Sequence, residues 1–173
     1  MKRNILKITV IACMLVLVLG ATHAQTKVIL DETLLTQESF DRFTAVSVIG
    51  DNHIWNFSSQ YGAMMSGYTN PNSYENEDWF ISPAMDLTTV ENVTLTFDHT
   101  RGSAAVINVG IAEGWYKVFA TANYTGDPTT TTWVELEGVN HSMTAWWYVS
   151  SGVLTIPANT QSKNSRIAFK YLS

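Results

Sequence analysis

Side chains that could do chemistry stand close together at two places in the chain. One is Glu75, Glu77 and Asp78 within YENEDWFISPAMDL (Tyr74 to Leu87), and the other is the neighbours Asp98-His99. Glycoside hydrolysis needs one carboxylate on each side of the scissile bond, about 5–9.5 Å apart. Acids this close in one stretch rarely straddle a substrate, and no complementary group lies near them, so they read as solvated loop acids. An Asp98-His99 dyad requires side chains that meet, yet neighbours on a strand point to opposite faces. There is no GxSxG elbow and no HxH or HExxH spacing, so neither a nucleophile nor a transition-metal site has its context. His99 then reads as a core-edge residue that follows Phe97.

The aromatics point to binding rather than catalysis. Placed on a strand, Trp146 and Tyr148 share one face and Trp147 the other. An outward tryptophan is a flat apolar platform for a sugar ring. Tyr124 in the NYTGDP turn and the pair Trp115-Tyr116 extend such a ligand-binding face. The competing reading packs Trp147 under a loop, because most large aromatics are substantially buried.

Strands must position these residues, since nearly every segment alternates with period two. Val93, Leu95 and Phe97 alternate in VTLTFD, Ile107, Val109 and Ile111 in VINVGI, and Tyr116, Val118 and Ala120 in WYKVFATA. The same holds for Ile167, Phe169 and Tyr171 in RIAFKY, and a short strand over Val153 to Ile156 precedes Pro157. Turn chemistry separates the runs at Thr69-Asn70-Pro71-Asn72, Arg101-Gly102-Ser103, Thr125-Gly126-Asp127-Pro128, Glu137-Gly138 and Ser151-Gly152. Only Leu34 to Phe43 has a helical pattern. Many short strands with regular turns predict an all-β sandwich of two antiparallel sheets in one domain.

The first 24 residues are set apart from that domain. Lys2, Arg3 and Lys7 precede the apolar run Ile8 to Gly20, and small residues lead to Ala24-Gln25. That is the pattern of a cleaved signal peptide, so 25–173 is the expected mature, secreted chain. Its removal takes the net charge from −5 to about −8, which disfavours nucleic acid and anionic membrane surfaces as partners. No second apolar stretch could span a membrane. Cys13 is the sole cysteine. The mature chain therefore lacks disulfides, a thiol nucleophile and zinc thiolates.

The stretch YENEDWFISPAMDL, preceded by WNFSSQYGAMMSGY and followed in order by NVTLTFDH, VFATANYTGDP, TTWVEL, WWYVSSG and RIAFKY, resembles the secreted choice-of-anchor J modules of Bacteroidetes, relatives of the cleaved-adhesin domains. The resemblance implies a jelly-roll β-sandwich similar to MAM domains and carbohydrate-binding modules, displayed at the cell surface or secreted, with roles in adhesion and in glycan or protein binding. It implies a core strand from Asp78 to Pro83 with Trp79 and Ile81 on one face. It also aligns Trp146 and Tyr148 with a core pattern, which leaves Trp147 at a variable position. Such jelly rolls often hold a structural Ca²⁺, and Asp31 and Glu32 sit where relatives place an acidic ligand. Family members continue past RIAFKY into a further strand, so this chain is expected to be C-terminally truncated and to lack its last strand. The expected function is a non-catalytic module recognising an extracellular glycan. An adhesive or structural module with a surface-protein partner is the alternative, and a glycoside hydrolase, or an accessory domain of one, the third.

Overall fold

The computed structural model describes residues 26–50, 53–103 and 107–173; the expected leader, 1–24, lies outside them. A short helix α1 (Gln37–Asp41), capped by the Thr36 hydroxyl accepting from the Ser39 amide, falls within the segment of helical pattern. It leads into β1 (Thr44–Ile49). Two small hairpins follow, β2 (Asn56–Ser58) with β3 (Gly62–Met64) and β4 (Tyr68–Thr69) with β5 (Asn72–Ser73). Then come β6 (Glu77–Ile81), β7 (Thr94–Leu95), β8 (Asp98–His99), a helix α2 (Ile107–Ala112) and β9 (Tyr116–Thr121). The remaining strands are β10 (Val134–Glu135), β11 (Val149–Ser150), β12 (Leu154–Thr155) and β13 (Arg166–Leu172).

One layer is a five-stranded antiparallel sheet in the order β1-β6-β13-β9-β10. The last strand in the chain, β13, is central, and both its flanks are paired. Directly paired residues point to the same side of a sheet, so the register Phe80↔Phe169↔Val118 defines an inner face and Ile81↔Ala168↔Phe119 an outer one.

The second layer covers the inner face. It is built from β7 paired with β12 and β8 paired with β11. The register advances by five residues from Val149 to Leu154 while the partner advances by four from His99 to Leu95. The extra residue forms a bulge at Ser151-Gly152, with Gly152 at φ +76°. Between the layers lie Val118, Ala120, Leu136, Leu154, Ile156 and Ile167, with Leu95, Phe97 and Phe169 at their margin. At the β6 side Phe80 is stacked by Phe40, Phe43 and Trp55 at 4.9, 4.7 and 5.3 Å. The fold is thus an all-β sandwich of antiparallel strands, as the alternation predicts.

Three local expectations are corrected. Ile107 to Ile111 of VINVGI lies not in a strand but in α2. The segment before β9 has no ladder to join, because β9 is already paired with β13 and β10. Its backbone groups are instead satisfied within the turn, Glu113 N–H by Val109 O and Trp115 N–H by Gly110 O, both at 2.8 Å. Glu77 and Asp78 are not loop acids, because pairing with β1 and β13 carries β6 back to Glu77. Trp146 to Tyr148 is not a strand either, as described next.

Candidate functional site

The exposed aromatic run is presented by a turn. Trp146 has φ +60°, a left-handed conformation that interrupts the extended backbone a strand needs. Trp147 N–H closes the turn on Thr144 O at 3.2 Å. Period-two alternation therefore does not apply, and Trp146, Trp147 and Tyr148 are all exposed, at 53, 68 and 46 %. Trp146 and Tyr148 are consequently not core residues, and Trp147 is not packed under a loop.

The turn is nonetheless held from several sides. Trp146 N–H donates to Arg101 O at 2.7 Å, and its ring lies 4.8 Å from that of Tyr61. Tyr148 Oη donates to Tyr61 O at 3.1 Å. The buried Ser142 hydroxyl donates to Trp147 O at 2.6 Å. Gly102 belongs here for a steric reason: a Cβ on it would come within 3.0 Å of the Trp146 indole. Trp147 itself has no ring partner among the described residues.

Beneath the turn lies a group of bases. Arg101, only 8 % exposed, places its guanidinium 4.0 Å above the Tyr116 ring centroid and donates from Nη2 to His141 Nδ1. His99 Nε2 accepts from the Ser142 amide at 3.2 Å, and the His99 and His141 rings stand 6.2 Å apart at 90°. Burial, reinforced by the charges of Arg101 and His141, depresses His99 to about 4. Burial and then Arg101 also lower His141. Burial raises the Tyr116 phenol. Both histidines are therefore neutral at pH 7. A cleft of about 280 Å³ opens beside them, with Tyr116, His141, Glu137 and the Lys117–Glu135 ion pair (2.8 Å) in its wall.

The other residues singled out in the sequence lie elsewhere. Tyr116 alternates with Lys117 and Phe119 along β9 and belongs to the inner face. Tyr124 packs against Trp133 at 6.1 Å, under Arg166 at 5.4 Å, in the outer-face cluster built on Trp79, Ile81 and Ala168. The sheet separates the two. Trp115 is half-buried against Tyr116 at 6.4 Å. The four expected ligand-binding residues thus do not form one patch.

Nor do the three acids of the ENED stretch form a cleft pair. Glu75 is exposed. Glu77 pairs with Lys170 at 2.9 Å and accepts from Trp79 Nε1 at 3.0 Å. Asp78 is 0 % exposed, and burial pushes it up to about 6, with the Ser47 hydroxyl across the ladder pulling the other way. As neighbours on a strand, Glu77 and Asp78 face opposite sides of the sheet.

Asp31 and Glu32 do not fit a cation. Asp31 is exposed, and the Glu32 oxygens already accept from Ser39 Oγ, at 2.7 Å, and from Arg42. Among the described residues, no three His, Cys, Asp or Glu side chains converge as metal ligands.

Arg101 and Tyr61 escape sequence reasoning. Arg101-Gly102-Ser103 reads as an ordinary turn, and the bond that buries the arginine spans 40 residues to His141. No local signal marks it.

No family model matches this chain, and no curated protein does. Among solved structures it is similar to the K1 cleaved adhesin domain of Lys-gingipain from Porphyromonas gingivalis W83, with 15 % identity and a TM-score of 0.46, over 76 % of this chain and 81 % of that one.

Proposed function

We propose that the chain is a secreted, non-catalytic binding module that takes an extracellular glycan on the aromatic turn Trp146-Trp147-Tyr148. One observation carries this reading: three consecutive aromatic side chains are solvent-exposed on a turn whose backbone is pinned by Arg101 and Ser142 and whose Trp146 and Tyr148 side chains rest on Tyr61. Exposed apolar surface of this kind is costly to keep unless something covers it. A pre-ordered turn loses little entropy on binding, and indole faces stack well on the C–H face of a sugar. Secretion rests on the leader sequence, and no helix among the described residues is long and apolar enough to cross a membrane. Hydrolysis is disfavoured because Glu77 and Asp78 face opposite sides of a sheet and Asp78 is sealed from solvent.

The test is tryptophan fluorescence of residues 25–173 titrated with neutral and acidic polysaccharides, repeated with Trp147→Ala. The expected outcome is a saturable shift in the parent that falls at least about tenfold in affinity in the variant, with thermal stability unchanged. Loss of stability instead would make Trp147 structural. The second reading is adhesion to a surface protein. It is favoured by Met143, also exposed in this loop, since flexible thioethers suit irregular protein surfaces. Silence across the sugars from a folded chain would favour it.

A further inference from the structure

The arginine below the turn is buried without the partner that a buried arginine ordinarily has. Among the described residues no carboxylate pairs with it, and its Nη1 has no hydrogen-bond partner. A guanidinium held out of water costs several kcal/mol unless its charge and donors are met. One neighbour on the same side of the strand shares the deficit: His99 Nδ1 is also buried and unbonded. Because His99 Nε2 accepts from the Ser142 amide, the ring proton of the neutral imidazole sits on Nδ1. The unmet groups on this side are therefore donors: an Nη1 pair and an imidazole N–H.

We propose that Arg101, with His99, forms an anion site beneath the aromatic turn, and that the glycan bound there carries a carboxylate or a sulfate ester. The inference deepens the glycan reading above and rests on it. A carboxylate or sulfate offers only acceptor oxygens, which is what these donors lack, and a planar guanidinium can meet two of them at once. The Tyr116 stack and the His141 bond fix the plane of that fork. The site also adjoins the platform: the Arg101 carbonyl holds the Trp146 amide, and Gly102 lies against the indole. Nearby charges do not supply the missing partner. Lys117 and Glu135 pair with each other, Asp98 is exposed on the opposite side of its strand, and Glu137 is exposed and screened by solvent. The chain as a whole is acidic, at −5 for the full sequence, so general attraction to polyanions is not available and any preference must come from this site.

The experiment titrates residues 25–173 with polygalacturonate, dextran sulfate and neutral dextran, using Arg101→Met and Arg101→Lys beside the parent. The parent is expected to bind an acidic polymer about tenfold or more tightly than dextran. Arg101→Met should lose that margin, its affinity for the acidic polymer falling to the level of dextran. Arg101→Lys, which keeps the charge without the fork, should lose part of it, and carries the test if Arg101→Met fails to fold by near-ultraviolet circular dichroism. A margin for polygalacturonate alone assigns a carboxylate, and one for dextran sulfate alone assigns a sulfate. Equal binding of acidic and neutral polymers, or a margin that survives in both variants, overturns the anion site and leaves the glycan reading standing. Binding of none of the polymers overturns both.

Discussion

Asp78 shows how little a residue's type says about its state. It sits among acids that look solvated, yet it is sealed against the inner face and burial holds it near 6. A carboxyl whose folded pKa is raised above its ordinary value binds its proton more tightly in the folded state. Its contribution is therefore greatest below the unfolded value near 4 and is lost as pH rises through 6. His99 acts in the opposite sense. Its depressed folded pKa of about 4 means that stability is present above 6.5 and lost as pH falls toward 4. The two offset each other in the parent. Asp78→Asn removes one, so the variant should be more stable at pH 8 by on the order of 1–2 kcal/mol, and should weaken steadily between pH 6.5 and 4. Thermal unfolding across that range decides this, and a variant less stable than the parent at pH 8 would show that the bond from Ser47 outweighs the cost of burying the charge.

At the scale of elements, bulges and turns matter more than strand propensity. Gly152 lets the run from β11 to β12 carry one residue more than its partners, at φ +76° and with only an ordinary contact, Asn140 Cβ at 4.0 Å, awaiting a Cβ. Gly152→Ala therefore meets only backbone strain, and should cost about 1–2 kcal/mol. Gly50, at φ +88°, is different: an added Cβ would collide with the Glu75 carbonyl oxygen and Asn76 Oδ1. Gly50→Ala adds that clash to the same strain and should cost more than about 3 kcal/mol. Denaturant midpoints of the two variants measure the difference, and equal losses would mean that the segment around Asn76 can yield. The helix α2 makes the same point in reverse. Ile107, Val109 and Ile111 alternate like a strand, but with β9 already flanked on both sides the segment satisfies its backbone by coiling.

For the whole molecule, stability rests on packing between two layers rather than on crosslinks, since the only cysteine lies in the expected leader. A structural ion at Asp31 and Glu32 would have to displace Arg42 and Ser39 from the Glu32 carboxylate. The midpoint of thermal unfolding should therefore be the same in calcium and in EDTA. A calcium-dependent rise that disappears in Glu32→Gln would place the ion there after all.

Period-two alternation was enough to determine the fold class. Burying one side of a strand forces apolar residues onto every second position, and VTLTFD, WYKVFATA and RIAFKY record that directly. Charge, cysteine usage and the pattern of the expected leader are likewise one-dimensional properties, readable without coordinates. The candidate site was legible only as a composition of aromatics. Whether Trp146 faces in or out depends on a single positive φ, and whether Arg101 is solvated or buried depends on His141, 40 residues away. Those are decided by contacts between segments distant in the chain, and a local pattern carries no information about which distant side chain will arrive beside it. The tertiary structure alone brought a guanidinium, two histidines and a tyrosine together beneath three exposed rings.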